Sequence, residues 1–473
     1  MLVKASRDLI PSEIKFAEGV RLRLLIYLLL FLGYVAFMNR YAPAGLDWAF
    51  YHSQRLFNAV EYLRLNGYGS AFGFSIWSSC ADCNLLDPSW HEKIYLSGSA
   101  LLGLWPYMVL NELGGKAFFH LAGPILDQTI IFITGVLLAE LLLALMNVST
   151  GLTRKMHKLE EEIQDQAVLT VHWLGAATFF LFCSSIWTYQ MYRALWNETW
   201  FLFFFLVSFS LLLKNKFRLA CLAIVMGACM HYILGFVLAC VYISFYILSI
   251  IFREEQVFNS VMPSALNSPS KLLIYSSYSA IPTLIQFGLR FAYSASTGMQ
   301  GEGSSLFYRM GVSGDDIHNG GILGALQFLG GARITQCVTP LFKEGLENAS
   351  LDSKITAFNC TLSISGLTMV SILAILGVFW LLANYKQTRV LIFPIGMSLI
   401  ILASTLQQSF SAHLLGHSYP FAAIFAIGMV GLGVKASRGL KSNALSILVL
   451  TPLTAAIVLL SIRVSMLTAL ATG

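Results

Sequence analysis

The chain consists largely of long hydrophobic runs separated by short polar and basic segments. Runs such as LLIYLLLFLGYVAFM and WFLFFFLVSFSLLL lack the alternation of polar and apolar residues that strands of a membrane barrel show. The pattern therefore predicts an all-α polytopic membrane protein, a single transmembrane domain over residues 1–473 with about ten or eleven transmembrane helices. The runs are 24–38, 125–147, 169–187, 200–213, 219–252, 272–292, 362–383, 390–406, 419–434 and 443–462.

Two long polar segments, 39–124 and 293–361, interrupt this pattern. The first contains two weaker apolar stretches, near 95–113 and 117–126, which carry a proline and charged residues. We expect these stretches to form interfacial or half-inserted helices rather than full spans. The next full span is then expected to begin with the run 125–147.

The run 219–252 is too long for one span and barely long enough for two. A helix rises about 1.5 Å per residue, and the hydrocarbon core is about 30 Å thick. Gly227 and Gly235 flank the residues around His231, and glycine weakens a helix interior. We therefore expect two short helices with a break near His231, whose side chain packs in the interior or lines a groove.

Composition strengthens the membrane prediction, because 57% of the residues are hydrophobic and only 11% are charged. A soluble domain carries about a quarter charged residues. The net charge of +6 comes with Lys and Arg grouped at the ends of apolar runs, as orientation signals are. The charge therefore does not indicate nucleic-acid binding.

The basic segments also predict the orientation of the chain. Basic residues precede the run 24–38, which we interpret as an uncleaved signal anchor with a cytoplasmic N-terminus. Both long polar segments then lie on the non-cytoplasmic side. The expected location is a multi-pass membrane position, with a bacterial inner membrane favoured over the endoplasmic reticulum.

The cysteines fit this topology. Cys80, Cys83, Cys337 and Cys360 fall in the two long outer segments, and the other four cysteines fall in apolar runs. An oxidising compartment would permit Cys80–Cys83 and Cys337–Cys360 disulfides. Reduced thiols, a redox pair or half of a zinc site remain alternatives for Cys80 and Cys83.

The stretch after the first run carries the candidate chemistry. At helical spacing one face collects an acid with polar and aromatic residues, while the opposite face is apolar. We interpret this stretch as an amphipathic helix at the outer membrane surface; the alternative is that its polar face simply meets water. The polar face comprises Asp47, Tyr51, Gln54, Arg55, Asn58 and Tyr62, and the apolar face Ala49, Phe50, Phe57, Val60 and Leu63.

This stretch resembles the multi-spanning GT-C glycosyltransferases, which transfer a sugar from a polyprenyl-phosphate carrier on the outer side of a membrane. Members carry an acid shortly after the first span, within a long first outer loop. A second similarity is an Arg followed by a Glu in the short outer turn before the fourth span, here Arg193 and Glu198. The residues that match the first motif are Asp47, Tyr51, His52, Arg55, Gly67 and Tyr68.

The resemblance implies an inverting transferase in which Asp47 takes the proton of the acceptor hydroxyl and Glu198 orients the acceptor or the sugar. It implies a polyprenyl-phosphate sugar donor, a glycan, lipid or protein acceptor, and contact with membrane lipids. Many members carry two adjacent acids, whereas Trp48 follows Asp47 here, so no metal or other cofactor is expected. The expected contacts of the carrier phosphate are Tyr51, His52, Arg55, Arg193, Arg290, His413 and His417.

Two other functions stay open. A transporter or flippase would use ionisable groups inside the membrane, and Glu140, for which the sequence offers no obvious cationic partner, is the best candidate. A polysaccharide polymerase or ligase would depend on outer basic residues such as Arg290, Arg309 and Arg333. The chain contains no phosphate-binding glycine loop, which fits a donor that arrives through the lipid.

Overall fold

The computed structural model describes residues 13–41, 47–89 without 77 and 79, 101–154, parts of 172–183, 197–251, 263–297 without 267, and parts of 350–357. Within these residues every regular element is an α-helix or a short 3-10 turn, and no strand occurs. The all-α expectation is thus confirmed for the described part. The runs expected at 362–383, 390–406, 419–434 and 443–462 lie outside it, as does most of segment 293–361.

The helices follow the order of the predicted runs. The two 3-10 turns, Ser70–Gly73 and Ser264–Leu266, lie in the connections. The helices are α1 (Glu13–Tyr41), α2 (Asp47–Asn66), α3 (Leu101–Arg154), α4 (Asn197–Leu213), α5 (Phe217–Met230), α6 (Tyr232–Ile251) and α7 (Pro269–Thr297).

Two segments of the described chain are long and apolar enough to cross a membrane, judged by length and composition. They are Gly103–Leu141 within α3, a range that includes the interruption at Gly115, and Pro269–Tyr293 within α7. Two shorter apolar helical segments, Trp200–Leu213 and Phe217–Met230, belong to α4 and α5.

α3 does not follow the predicted division of the first outer segment. It is helical from Leu101 to Arg154 and is interrupted only at Gly115, whose φ of 64° and ψ of −160° suit glycine. The hydroxyl of Tyr107 nevertheless lies 3.3 Å from an oxygen of Asp127. Twenty residues of straight helix would separate these positions by about 30 Å. α3 therefore folds back at Gly115 into a short arm, 101–114, and a long arm, 116–154.

This hairpin corrects the expected boundary at residue 125. The stretch 117–126 belongs to the same continuous helix as the run 125–147, and Pro124 lies inside it. Sequence reasoning placed the start too late because proline and charged residues weaken an apolar run without ending the helix. The short arm, about 21 Å long at 1.5 Å per residue, is too short to cross a bilayer alone.

The expected break in the run 219–252 is confirmed. α5 ends at Met230 and α6 begins at Tyr232, with His231 between them in an extended conformation (φ −141°, ψ 89°). The amide of His231 still donates to the carbonyl of Gly227 at 3.0 Å, which caps the end of α5.

Side-chain hydrogen bonds give the directions of α4 to α7. The hydroxyl of Ser208 in α4 donates to the carbonyl of Ala220 in α5 at 2.8 Å and hydrogen-bonds the hydroxyl of Tyr275 in α7 at 2.8 Å. The hydroxyl of Ser279 in α7 donates to the carbonyl of Gly235 in α6 at 2.6 Å. Thus the end of α4, the start of α5 and the start of α7 lie together at one end of the bundle.

Gly235 permits the close approach of α6 and α7. A Cβ atom built on Gly235 would lie 2.8 Å from the backbone oxygen of Ser279 and 2.4 Å from the Cβ of Ala228. Any larger residue would have to push α6 away from α7. Further along the same two helices the rings of Tyr242 and Tyr275 lie 5.5 Å apart, so α6 and α7 stay packed beyond the contact at Gly235.

α1 packs antiparallel against the long arm of α3. Phe31 of α1 lies 5.2 Å from Phe132, centroid to centroid, and Arg23 of α1 reaches Glu140. The end of α1 therefore lies beside the Gly115 end of the long arm. The side of α1 away from α3 exposes leucines, including Leu22, Leu25, Leu29 and Leu32.

Candidate functional site

Most of the described polar face of α2 is buried inside the protein. Gln54 is 0% exposed, Asn58 2% and Tyr62 0%. The apolar face is also buried, with Phe57 and Leu63 in the core. The alternative that this polar face simply meets water is therefore wrong for these residues, and the position of α2 at a membrane surface stays a prediction. Sequence periodicity separated the two faces, but it did not reveal that both would be covered.

Asn58 turns inward to hold the loop that follows α2. Its Nδ2 atom donates to the carbonyl oxygens of Ser78 and Cys80, both at 2.7 Å, and its Oδ1 accepts from Gln54 at 2.7 Å. The Sγ atoms of Cys80 and Cys83 form a disulfide, one of the two bridges that the sequence permits. One buried amide therefore fixes the disulfide loop to α2.

A second polar group joins α2 to the short arm of α3. The amide of Asn111 donates to the Glu61 carboxylate at 2.7 Å, and the guanidinium of Arg64 donates to the same carboxylate at 2.8 Å. The hydrogen bond from Arg64 is the main reason that the pKa of Glu61 lies below its ordinary value. Nearby, the Tyr68 hydroxyl donates to Glu112 at 2.7 Å, which raises the pKa of Tyr68.

A buried acid, Asp127, lies on the long arm of α3. It is 1% exposed, and its Oδ1 accepts the indole N–H of Trp200 at 3.0 Å and the hydroxyl of Tyr107 at 3.3 Å. Sequence reasoning passed over this residue in favour of Glu140. The available signal was the same for both, since each is an acid inside an apolar helical run.

Glu140 has the cationic partner that the sequence did not reveal. The guanidinium of Arg23 donates to both oxygens of Glu140, at 2.7 and 2.8 Å, and the hydroxyl of Tyr27 donates at 2.9 Å. The expectation that Glu140 lacks an obvious partner is wrong, because Arg23 is 117 positions away in sequence. Arg23 is 4% exposed, so its role is not limited to that of a basic residue that flanks a span and sets its orientation.

Several predicted site segments converge on one buried apolar cluster. We call it the outer-end cluster because the sequence analysis expects the segments that meet there on the outer side. It joins α2 and its loop to both arms of α3, the first turn of α4, the last residue of α5 and the last part of α7. Its members are Leu56, Phe57, Ala59, Val60, Tyr62, Leu63, Phe74, Ile76, Leu85, Leu104, Tyr107, Phe119, Ile130, Trp200, Met230 and Tyr293.

The cluster places the backbone of two predicted residues, Glu198 and Arg290, within one turn of its members, and Asp47 begins the helix that contributes Leu56 to Leu63. Asp47 is the first residue of α2, Glu198 is in the first turn of α4, and Arg290 is one turn before Tyr293 in α7. Tyr51 and His52 lie in the first half of α2. The side chains of these five predicted residues lie outside the described part.

Arg55 is the one predicted phosphate contact whose side chain is described, and it is half-buried on α2. The remaining predicted residues, Arg193, His413, His417, Cys337 and Cys360, lie outside the described residues. Within the described ranges no group of three or more His, Cys, Asp or Glu residues is placed to hold a metal ion. No family model matches the chain, and no curated protein or solved structure matches it either.

Proposed function

We propose that this chain is a polytopic membrane glycosyltransferase that moves a sugar from a polyprenyl-phosphate carrier to an acceptor on the non-cytoplasmic side. The observation that carries the proposal is the outer-end cluster. Three helices meet in this cluster: α2, which begins with Asp47, the start of α4, which holds Glu198, and the end of α7, which holds Arg290. The proposed mechanism requires residues from these distant segments to act in one site.

The distribution of charge supports the membrane orientation within this proposal. The end of the bundle opposite the outer-end cluster carries four exposed basic residues: Lys214, Lys216, Arg218 and Lys271. Cytoplasmic loops of membrane proteins are enriched in Lys and Arg. The outer-end cluster would then lie on the non-cytoplasmic side, as the sequence predicts.

The apolar surface supports insertion into lipid. Large apolar side chains stay exposed on α1, α3 and α7; Leu29 is 60%, Leu121 68% and Phe291 78% exposed. Soluble monomers rarely expose contiguous apolar patches of large area. Lipid chains would cover these surfaces without a protein partner.

The proposed chemistry is one inverting displacement. The acceptor oxygen attacks the anomeric carbon, the bond from that carbon to the phosphate oxygen breaks, and Asp47 takes the acceptor proton. Polyprenyl phosphate leaves, and Arg55 together with the other predicted cations stabilises its charge. A base in this role contributes about 10²–10⁴-fold to the rate.

The test compares wild type, Asp47→Asn and Asp82→Asn in liposomes. Asp82 is an exposed acid inside the disulfide loop, so its variant controls for loss of charge in the same module. A panel of polyprenyl-phosphate sugars with crude acceptor is supplied, and released polyprenyl phosphate is measured by mass spectrometry. The proposal expects release by wild type and Asp82→Asn and its loss in Asp47→Asn. Equal release by all three would remove Asp47 as the base.

A transporter or flippase is the second candidate, and one observation favours it. The Arg23, Tyr27 and Glu140 group is an ionisable group inside two apolar helices, and such groups mark transport pathways by default. Substrate-independent proton flux in proteoliposomes, abolished by Glu140→Gln, would favour this function. Unchanged flux in that variant would count against it.

A further inference from the structure

We infer that Asp127 is a positioning residue. It fixes how the first turn of α4 is rotated about its helix axis where α4 packs on the two arms of α3. The effect of Asp127 on catalysis rests on the proposed glycosyl transfer, because Glu198 has a role in the site only under that proposal. The structural effect of Asp127 can be measured without any substrate.

The geometry around Asp127 points to this role. Asp127 lies on the long arm of α3, Tyr107 on the short arm and Trp200 on α4, so three segments meet at one carboxylate. The indole N–H donates at 3.0 Å and the phenol at 3.3 Å. Asp127 is 1% and Trp200 6% exposed, so Asp127 is closed off from any substrate and acts through other residues.

Trp200 also packs against two aromatic rings. Its ring lies 6.2 Å from the ring of Trp105 and 6.3 Å from that of Phe204. Apolar contacts hold surfaces together without a preferred direction, whereas a hydrogen bond weakens steeply away from linear geometry. The bond from Trp200 to Asp127 is therefore the contact that selects one rotation of the first turn of α4.

The rotation of this turn matters because Glu198 precedes Trp200 by two residues. α2, which begins with Asp47, packs on the same two arms: Phe57 lies 5.4 Å from Phe119, and Glu61 accepts from Asn111 at 2.7 Å. α3 thus serves as a common frame for the helices that carry the two predicted acids. Asp127 is a polar connection between that frame and α4.

The first measurement is hydrogen–deuterium exchange of the full chain in nanodiscs, read on peptides covering residues 201–205, with residues 218–224 of α5 as the internal reference. Asp127→Leu and Trp200→Phe should each speed exchange in 201–205 by about tenfold or more and leave the reference unchanged. Asp127→Asn should match wild type, because the amide oxygen can still accept the indole N–H. If Asp127→Leu does not fold, Trp200→Phe carries the test alone.

The second measurement is the release of polyprenyl phosphate by the same variants. Asp127→Leu and Trp200→Phe should lower kcat by about 10–100-fold with little change in KM, as a small misplacement of a catalytic group does. Asp127→Asn should keep kcat within about threefold, with the pH profile of wild type.

Two results would overturn the inference. Unchanged exchange of 201–205 in both Asp127→Leu and Trp200→Phe would show that Asp127 does not hold α4. Loss of activity in Asp127→Asn together with an altered pH profile would show that its charge is required rather than its acceptor oxygen. If no sugar donor is used by wild type, the proposed function fails, and the exchange experiment still decides whether Asp127 positions α4.

Discussion

The long arm of α3 carries two carboxylates, one buried and one part-buried, and their surroundings differ. Glu140 accepts two charge-assisted hydrogen bonds from Arg23 and one from Tyr27, across the α1–α3 contact. Asp127 accepts from an indole and a phenol inside the outer-end cluster. The Arg23–Glu140 pair mainly balances charge between two helices. The hydrogen bonds to Asp127 mainly fix the orientation of the side chains that donate them. The same residue class in the same helix thus serves two structural purposes.

The largest effect should come from breaking the α1–α3 ion pair. Arg23→Met leaves the part-buried Glu140 carboxylate, whose side chain is 19% exposed, without its cation. We expect a loss of about 3 kcal/mol in the free energy of unfolding, the low end of the cost for a buried pair. The measurement is thermal and denaturant unfolding in detergent. Arg21→Met, an exposed arginine on the same helix, should change stability by less than about 0.5 kcal/mol.

The double variant Arg23→Met with Glu140→Met sharpens this prediction. Replacing a buried ion pair by apolar residues of similar volume is often neutral, so most of the lost stability should return. A double variant as unstable as Arg23→Met would contradict the assignment of the cost to an uncompensated charge.

The next largest effect should come from Trp200→Phe in the outer-end cluster. The variant keeps an aromatic ring but removes the donor to Asp127, and we expect a loss of about 1–3 kcal/mol. Trp105→Phe is the control, because Trp105 is 38% exposed and packs against the same ring. It should cost less than about 1 kcal/mol. Equal losses in the two variants would mean that ring volume, and not the hydrogen bond, stabilises the contact.

A smaller difference in stability is expected between variants of the two tyrosines that donate to these carboxylates. The Tyr27 hydroxyl lies 2.9 Å from Glu140, whereas the Tyr107 hydroxyl lies 3.3 Å from Asp127. Short hydrogen bonds to charged groups are worth about 1.5–3 kcal/mol and weaker ones about 0.5–1 kcal/mol. Tyr27→Phe should therefore lower the unfolding temperature more than Tyr107→Phe. The reverse order would show that Asp127 is the more strongly bonded acid.

The smallest effect concerns a third carboxylate, Glu61, near the protein surface. Its pKa in the folded state lies below its ordinary value of 4.5, mainly because Arg64 donates to it. A lowered folded pKa adds stability above the unfolded pKa, and this stability is lost as the pH falls through the folded pKa. Arg64 is exposed, so the gain is about 1 kcal/mol or less.

Unfolding temperatures of wild type and Glu61→Gln between pH 7 and pH 3 test this effect. The difference between them should be present at pH 7 and should shrink as the pH falls below 4.5. A constant difference across this range would mean that the pairing with Arg64 and Asn111 acts through hydrogen-bond geometry alone.

The helices were largely predictable because their signals are local. Apolar runs at 24–38, 200–213 and 272–292 correspond to α1, α4 and α7, and the glycines around His231 indicated the break between α5 and α6. The hairpin in α3 was missed, since one Gly–Gly pair, Gly114 and Gly115, gives little local signal for a reversal of direction.

The candidate site was predictable only in part. The sequence indicated that α2 carries one polar and one apolar face, and its basic segments predict which ends of the helices lie together. It gave no sign that Asn58 would hold the disulfide loop or that Asp127 would bond Trp200, 73 positions away. Each of these contacts depends on which helices become neighbours, and periodicity carries no information about neighbours.

The sequence by itself determined the helical class, the order of the helices and the positions of the basic segments, because hydrophobicity and helix propensity act over a few residues. Only the tertiary structure decided that Arg23 pairs with Glu140, that both faces of α2 are buried, and that α3 folds back at Gly115. Those outcomes depend on packing between segments far apart in the chain. A single backbone conformation at Gly115 brings Tyr107 within hydrogen-bonding distance of Asp127, whose carboxylate also accepts from Trp200 of α4.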